Sequence, residues 1–154
     1  VGSEMCIRDR LTKVLNRLEN VDFVKLHENI GEVLISTTHE RFKNGRAPNG
    51  SKWKRGRKGT GQTLVESKRL RNSITKRFSR AGVEVGTNVK YARIHQKGGT
   101  IRAKKAKFLR FKVGSRWAMK KSVKIPARPF IGISADDKQE IMRLFRETIS
   151  EAMK

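Results

Sequence analysis

The sequence predicts an α+β domain, an antiparallel sheet of short strands and hairpins packed against a long N-terminal helix and a C-terminal helix. Three observations carry that expectation. Apolar residues recur at helical spacing at both ends of the chain, short alternating runs punctuated by glycine fill residues 74–125, and 154 residues suit one core. Charged residues make up 33% of the chain against 36% apolar, which fits one core with generous polar loops. No apolar run approaches the roughly 20 residues of a membrane span, so no membrane contact is expected.

Met5-Cys6-Ile7-Arg8-Asp9-Arg10 is what the mosaic-end adapter of transposon-based sequencing libraries encodes. Residues 1–10 are therefore expected to be foreign to the gene, and 11–154 to form a single domain. Cys6 is the one cysteine, so no intrachain disulfide or cysteine metal site is expected.

Leu11, Val14, Leu15 and Leu18 form a helical stripe over Leu11 to Glu19. Asp22 is a candidate N-cap for a longer helix whose apolar face uses Phe23, Leu26, Ile30, Val33, Leu34 and Phe42. Asn44-Gly45 supplies its stop. Residues 45–61 form a basic, glycine-rich loop, with a turn at Pro48-Asn49-Gly50 and Trp53 either anchoring it to the fold or stacking among its cations. Leu64 to Ile74 reads as a short helix, and Ile74–Arg80 with Val83–Val85 as a hairpin about Ala81-Gly82. Val89 to Gln96 has helical spacing. Thr100–Ala103 and Lys107–Val113 suggest a second hairpin, with Leu109, Phe111 and Val113 on one face and Arg110 and Lys112 on the other. Trp117 and Met119 fall in a linker, Ser122–Ile125 is a strand ended by Pro126, and Ser134 with Asp137 opens the last helix. That helix carries Ile141, Leu144, Phe145, Ile149 and Ala152 inward.

The net charge of +23 is unevenly spread. Residues 41–128 hold 28 of the 37 Lys and Arg and only two acids, Glu66 and Glu84. The flanks, 1–40 and 129–154, hold nine bases and twelve acids, a balance of −3. Such a middle segment attracts polyanions or an acidic protein face. Lys52, Lys54, Arg55, Arg57, Lys58, Lys104, Lys105 and Lys107 form the candidate contact surface for either.

The sequence argues against an enzyme. Residues 85–128 contain no carboxylate, whereas metal-dependent nucleases need clustered ones. Gly56 to Gly61 lacks the Gly-Lys-Ser/Thr ending of a phosphate-binding loop. His27 and His39 have no further ligand at metal spacing, and His95 reads as a packed residue without a nucleophile or carboxylate near it in sequence. No cofactor is expected.

Three blocks carry a resemblance. Arg41-Phe42 is followed by Ala47-Pro48-Asn49-Gly50-Ser51-Lys52-Trp53. Leu70-Arg71-Asn72-Ser73-Ile74 leads to Val85-Gly86-Thr87 and Tyr91-Ala92-Arg93-Ile94-His95-Gln96-Lys97-Gly98-Gly99. Ile125-Pro126-Ala127-Arg128-Pro129-Phe130-Ile131-Gly132 precedes the closing helix. In this order, over Arg41 to Lys154, the chain resembles the Mu-like phage virion-morphogenesis, or tail-completion, family. Lys68 departs from the glycine that relatives carry before the Leu-x-x-Ser-Ile block.

The resemblance implies a non-enzymatic role in tail completion or head–tail joining, within a virion assembled in the bacterial cytoplasm. It also implies a homo-oligomeric ring and contacts with other tail or neck proteins. The matching residues Trp53, Tyr91, His95, Gln96, Gly98, Gly99, Pro126, Arg128, Pro129 and Phe130 are the candidate assembly surface, although Phe130 and Ile131 could equally fill the chain's own core. A basic module binding nucleic acid without sequence preference, with Trp53, Phe108 and Trp117 as stacking groups, is the other reading the charge supports.

Overall fold

The computed structural model describes residues 2–55, 64, 68–104, 106–113 and 115–154, with the side chains of 2–8 left aside. Two helices lead. α1 (Gly2–Glu19) extends through the segment read as adapter-encoded; Val14 and Leu18 are half-buried while Leu11 and Leu15 stay exposed. The Arg17 guanidinium donates to the Met153 carbonyl and ties α1 to the end of the chain.

α2 (Phe23–Asn44) starts and stops where local chemistry dictates. The Asp22 carboxylate accepts from the Lys25 N–H at 2.9 Å, satisfying one of the orphan donors of the first turn. Gly45 takes φ +62, the left-handed cap that glycine reaches without a Cβ penalty. Thr38, buried mid-helix, donates back to the Leu34 carbonyl at 2.6 Å. Both histidines of α2 tie it to neighbouring segments: His27 Nδ1 bonds to the Ser79 carbonyl and His39 Nε2 to the Arg71 carbonyl.

The expected helix over 64–74 shrinks to α3 (Arg69–Asn72), and Ile74 instead opens a strand. Residues 65–67 lie outside the described set. The cause is visible at Lys68, whose φ of +54 puts a kink before the helix, while Ser73 closes it by donating to the Leu70 carbonyl. Lys68 thus sits in a conformation that glycine adopts freely and a residue with a Cβ does not.

β1 (Ile74–Ser79) and β2 (Gly82–Thr87) form the predicted hairpin, Ile74 opposite Thr87 and Ser79 opposite Gly82. α2 lies across this hairpin at close range, since a Cβ on Gly31 would meet the Lys76 side chain at 2.8 Å. α4 (Ala92–Lys97) follows.

The second half pairs differently from the sequence expectation. β3 (Gly99–Arg102) does not pair with the next strand but with β6 (Ser122–Ile125), and β4 (Leu109–Val113) pairs with β5 (Arg116–Lys120). Trp117 and Met119, read as linker, lie in β5. Among the described residues the strands therefore form three two-stranded antiparallel ladders. α5 (Ala135–Met153) packs on α2 and α1, and Ser134 and Asp137 form the expected capping box.

The core lies between α2, α3, α4 and the segment before α5. Phe42, Trp53, Leu70, Ile74, Ala92 and Phe130 are its buried residues together with Ala47. The Phe42 ring meets Trp53 edge-on at 5.6 Å and Phe130 at 5.2 Å, within the range where aromatic pairs attract beyond their area.

Because a side-chain-bearing residue in the left-handed region is penalised and glycine is not, Lys68→Gly is expected to raise stability by roughly 0.5–1 kcal/mol. Urea denaturation measures it, and an unchanged or lowered midpoint would contradict the account of the kink.

Candidate functional site

The family-like residues converge on one irregular segment, 125–132. Pro126 and Pro129 lack N–H donors and fix φ, so the chain cannot continue the β3–β6 ladder past Ile125. Arg128 and Phe130 are buried, so the backbone groups here must find partners elsewhere. Gln96 supplies three of them. Its Oε1 accepts from the N–H of Phe130 at 2.9 Å and of Ile131 at 3.1 Å, and its Nε2 donates to the Ile131 carbonyl at 2.7 Å. Trp53 donates from Nε1 to the Pro129 carbonyl at 2.8 Å. The Arg128 N–H donates to the His95 carbonyl at 2.7 Å. Arg41 donates to the carbonyls of Phe130 and Gly132.

Two glycines let the pieces close. Gly98 takes φ +70, ψ 178, a region reached essentially by glycine alone, and a Cβ there would lie 2.7 Å from the Ala127 nitrogen. At Gly132 a Cβ would lie 2.7 Å from the Pro48 ring, so the 47–53 loop seats directly on the segment.

The Nη2 of Arg41 forms a buried ion pair with Asp137. Burial pushes the Asp137 carboxyl up. The Ser134 N–H and hydroxyl, the Arg41 charge and the Thr37 hydroxyl together outweigh it, holding the carboxyl below its ordinary value. α2, the segment and α5 are therefore joined at one point. The charge of Arg41 on the buried stripe of α2 was the sequence signal for this pair; nothing in the sequence identified Asp137 as its partner beyond a capping role.

Several residues expected at an assembly surface spend their side chains inside the chain. Phe130 is 1% exposed and fills the core, one of the two placements the sequence left open. Trp53 is buried as an anchor and has no free face for stacking. Arg128 is buried, with its guanidinium donating to the Lys54 and Arg55 carbonyls, and burial lowers its pKa. Pro129 and Gln96 are half-buried in the network just described. Tyr91 and Gly99 are exposed, while His95, Gly98 and Pro126 are half-buried.

His95 carries the Tyr91 ring edge-on at 5.9 Å, and its Nδ1 is buried without a hydrogen-bond partner among the described residues. Burial, and then the Arg128 charge, lower its pKa, so it stays neutral at pH 7. Among the described residues no three His, Cys, Asp or Glu side chains gather to hold a metal.

Of the basic surface, Lys52, Lys54, Arg55, Lys104 and Lys107 are exposed. Arg57, Lys58 and Lys105 lie outside the described residues. Lys54, Lys97 and Lys124 border an open cleft of about 590 Å³, floored by Gly98, Gly99 and Ile125–Ala127. The network thus places a cationic surface beside the 125–132 segment.

The family model described as the phage virion morphogenesis family matches residues 4–150. The chain is also similar to the Mu-like prophage FluMu G protein 2 of Haemophilus influenzae, 31% identical over 134 residues, which cover 86% of this chain and 83% of that protein. No solved structure matches the chain significantly.

Asp137→Asn is expected to cost about 3–5 kcal/mol, because Arg41 is left buried without its counter-charge. In the parent chain, acid should act in two windows. The lowered His95 pKa makes protonation unfavourable in the fold, so stability is complete above about pH 6.5 and falls as His95 is forced to charge. The lowered Asp137 pKa gives stability that is complete above about pH 4 and lost as pH falls through its folded value. Thermal melts across pH check both, and a flat profile from neutral to pH 3 would contradict them.

Proposed function

The chain belongs to the phage virion morphogenesis family, and on that premise we propose that it acts without enzymatic chemistry in completing the phage tail or joining tail to head. It does so as a homo-oligomeric ring in the tail or neck, in contact with other tail or neck proteins, after assembly in the bacterial cytoplasm.

One observation carries the assembly reading. α1 and α5 pack together yet leave Leu11, Leu15, Met142 and Phe145 exposed. Large apolar side chains gathered on one helical layer mark a contact surface more than scattered ones do. These helices also belong to the flanks whose charge balance is −3. Copies that meet through the helices keep their basic middle segments apart and avoid most of the self-repulsion of a +23 chain. A contact between two different faces of this layer is heterologous, and such contacts close into rings when the rotation allows.

Disrupting the gene in a phage that carries it should yield lysates with separate heads and tails, restored by supplying the chain in trans. Normal infectious yield after disruption would contradict the proposal. The purified chain should give a discrete multimeric mass by light scattering in roughly 0.3 M salt. Phe145→Glu should reduce that mass to the monomer, whereas a parent chain that stays monomeric at every concentration would count against the ring.

A further inference from the structure

β3–β6 form the stem of an arm and β4–β5 its outer half. β4 and β5 pack substantially on each other and on no other element. Residues 102–124 contain ten Lys and Arg and no acid. No Lys or Arg of the arm forms an ion pair among the described residues. The core therefore does not need these charges, and their mutual repulsion is a cost that a partner would relieve.

The register sorts the outer half into two faces. Arg110 stands opposite Met119 and Lys112 opposite Trp117, so these four share one face, with Trp117 61% and Met119 66% exposed. The Arg110 guanidinium lies 4.6 Å from the centre of the Trp117 ring. An indole face occupied by a guanidinium is not free to stack on a base. It orders the arginine instead, at little cost to its donors, which have no partner among the described residues. At the foot of the arm the positive surface continues into the cleft bordered by Lys54, Lys97 and Lys124.

We propose that this arm is a contact for the phosphate backbone of duplex DNA, with Arg110, Lys112 and Lys124 on phosphates and Trp117 holding Arg110 in place. A surface whose ten ionised groups are all cations suits a partner with regularly repeated negative charge. A protein partner would need a strongly acidic face to match ten Lys and Arg with no acid among them, whereas every nucleotide of a duplex carries a negative charge. Single strands fit less well where Arg110 already covers one face of Trp117, since their binding depends on open aromatic faces. The inference stands on the charge and geometry of the arm and does not rest on the tail-completion reading; the gene disruption described above and the binding of purified chain to DNA can fail separately.

Binding of the full chain to a short fluorescent duplex of mixed sequence tests it, followed by anisotropy as salt rises from about 0.05 to 0.2 M. The arm variant R110Q/K112Q/K124Q is compared with a control that loses the same three charges elsewhere, K13Q/K25Q/K138Q, all three exposed and off the arm. The arm variant is expected to lose about tenfold in affinity and about two to three units of the salt slope, since each phosphate neutralised contributes about 0.9. The control variant should change far less. Trp117→Ala should weaken duplex binding in the parent chain and add nothing in the R110Q background. Equal losses in both triple variants would overturn the proposal in favour of a diffuse field. Tighter binding to single strands, with most of it lost in Trp117→Ala, would overturn it in favour of base stacking. Poly-glutamate that binds as tightly as the duplex would overturn it in favour of an acidic protein face.

Discussion

Five residues of irregular backbone, Arg128 to Gly132, impose the requirement around which the fold is arranged. They run through the interior without a ladder partner, and a buried peptide group left unpaired costs about 1–3 kcal/mol. Side chains from three distant places meet that requirement: Arg41 on α2, Trp53 after the turn loop and Gln96 on α4. Each of these bonds spans 34 to 91 residues of sequence, so the segment can be satisfied only when the whole domain has assembled. Phe130, placed by those bonds, then completes the aromatic cluster with Phe42 and Trp53.

The buried Arg41–Asp137 pair belongs to the same arrangement. A buried ion pair is weak evidence for net stability, because desolvation consumes much of the attraction. Its value here is positional. One guanidinium reads the Phe130 and Gly132 carbonyls and the carboxylate that caps α5, fixing the angle at which the last helix leaves the core. α1 is in turn held to α5, so the helical layer takes its placement from this point.

Much of the frame was legible where a single residue's local chemistry decides the outcome. Asp22, Gly45, Ser134 with Asp137, and the β1–β2 hairpin, whose turn falls at Arg80-Ala81 one residue before the expected place, act through bonds a few residues long. The pairing of β3 with β6 was not legible, because Lys104–Ala106 looks like a local turn while the true partner lies some twenty residues away. With β3 committed elsewhere, β4 needed a partner, and Trp117 and Met119 became strand rather than linker. The candidate site was half legible. Its residues were found through the family resemblance, but their side chains turned inward: an amide such as Gln96 carries no sign in the sequence of which backbone it will satisfy. The exposed platform of Arg110 and Trp117 needed the register to become visible.

The protein thus combines a closely determined core with an arm that the core supports only at its stem. Amide hydrogen exchange of the native chain tests that division most directly. The account predicts that the N–H groups of Arg128, Phe130 and Ile131 exchange only with global unfolding, although they lie in no helix or strand, while those of β4 and β5 open at far lower free energy. Fast exchange at Phe130 and Ile131, or a common rate for segment and arm, would contradict it.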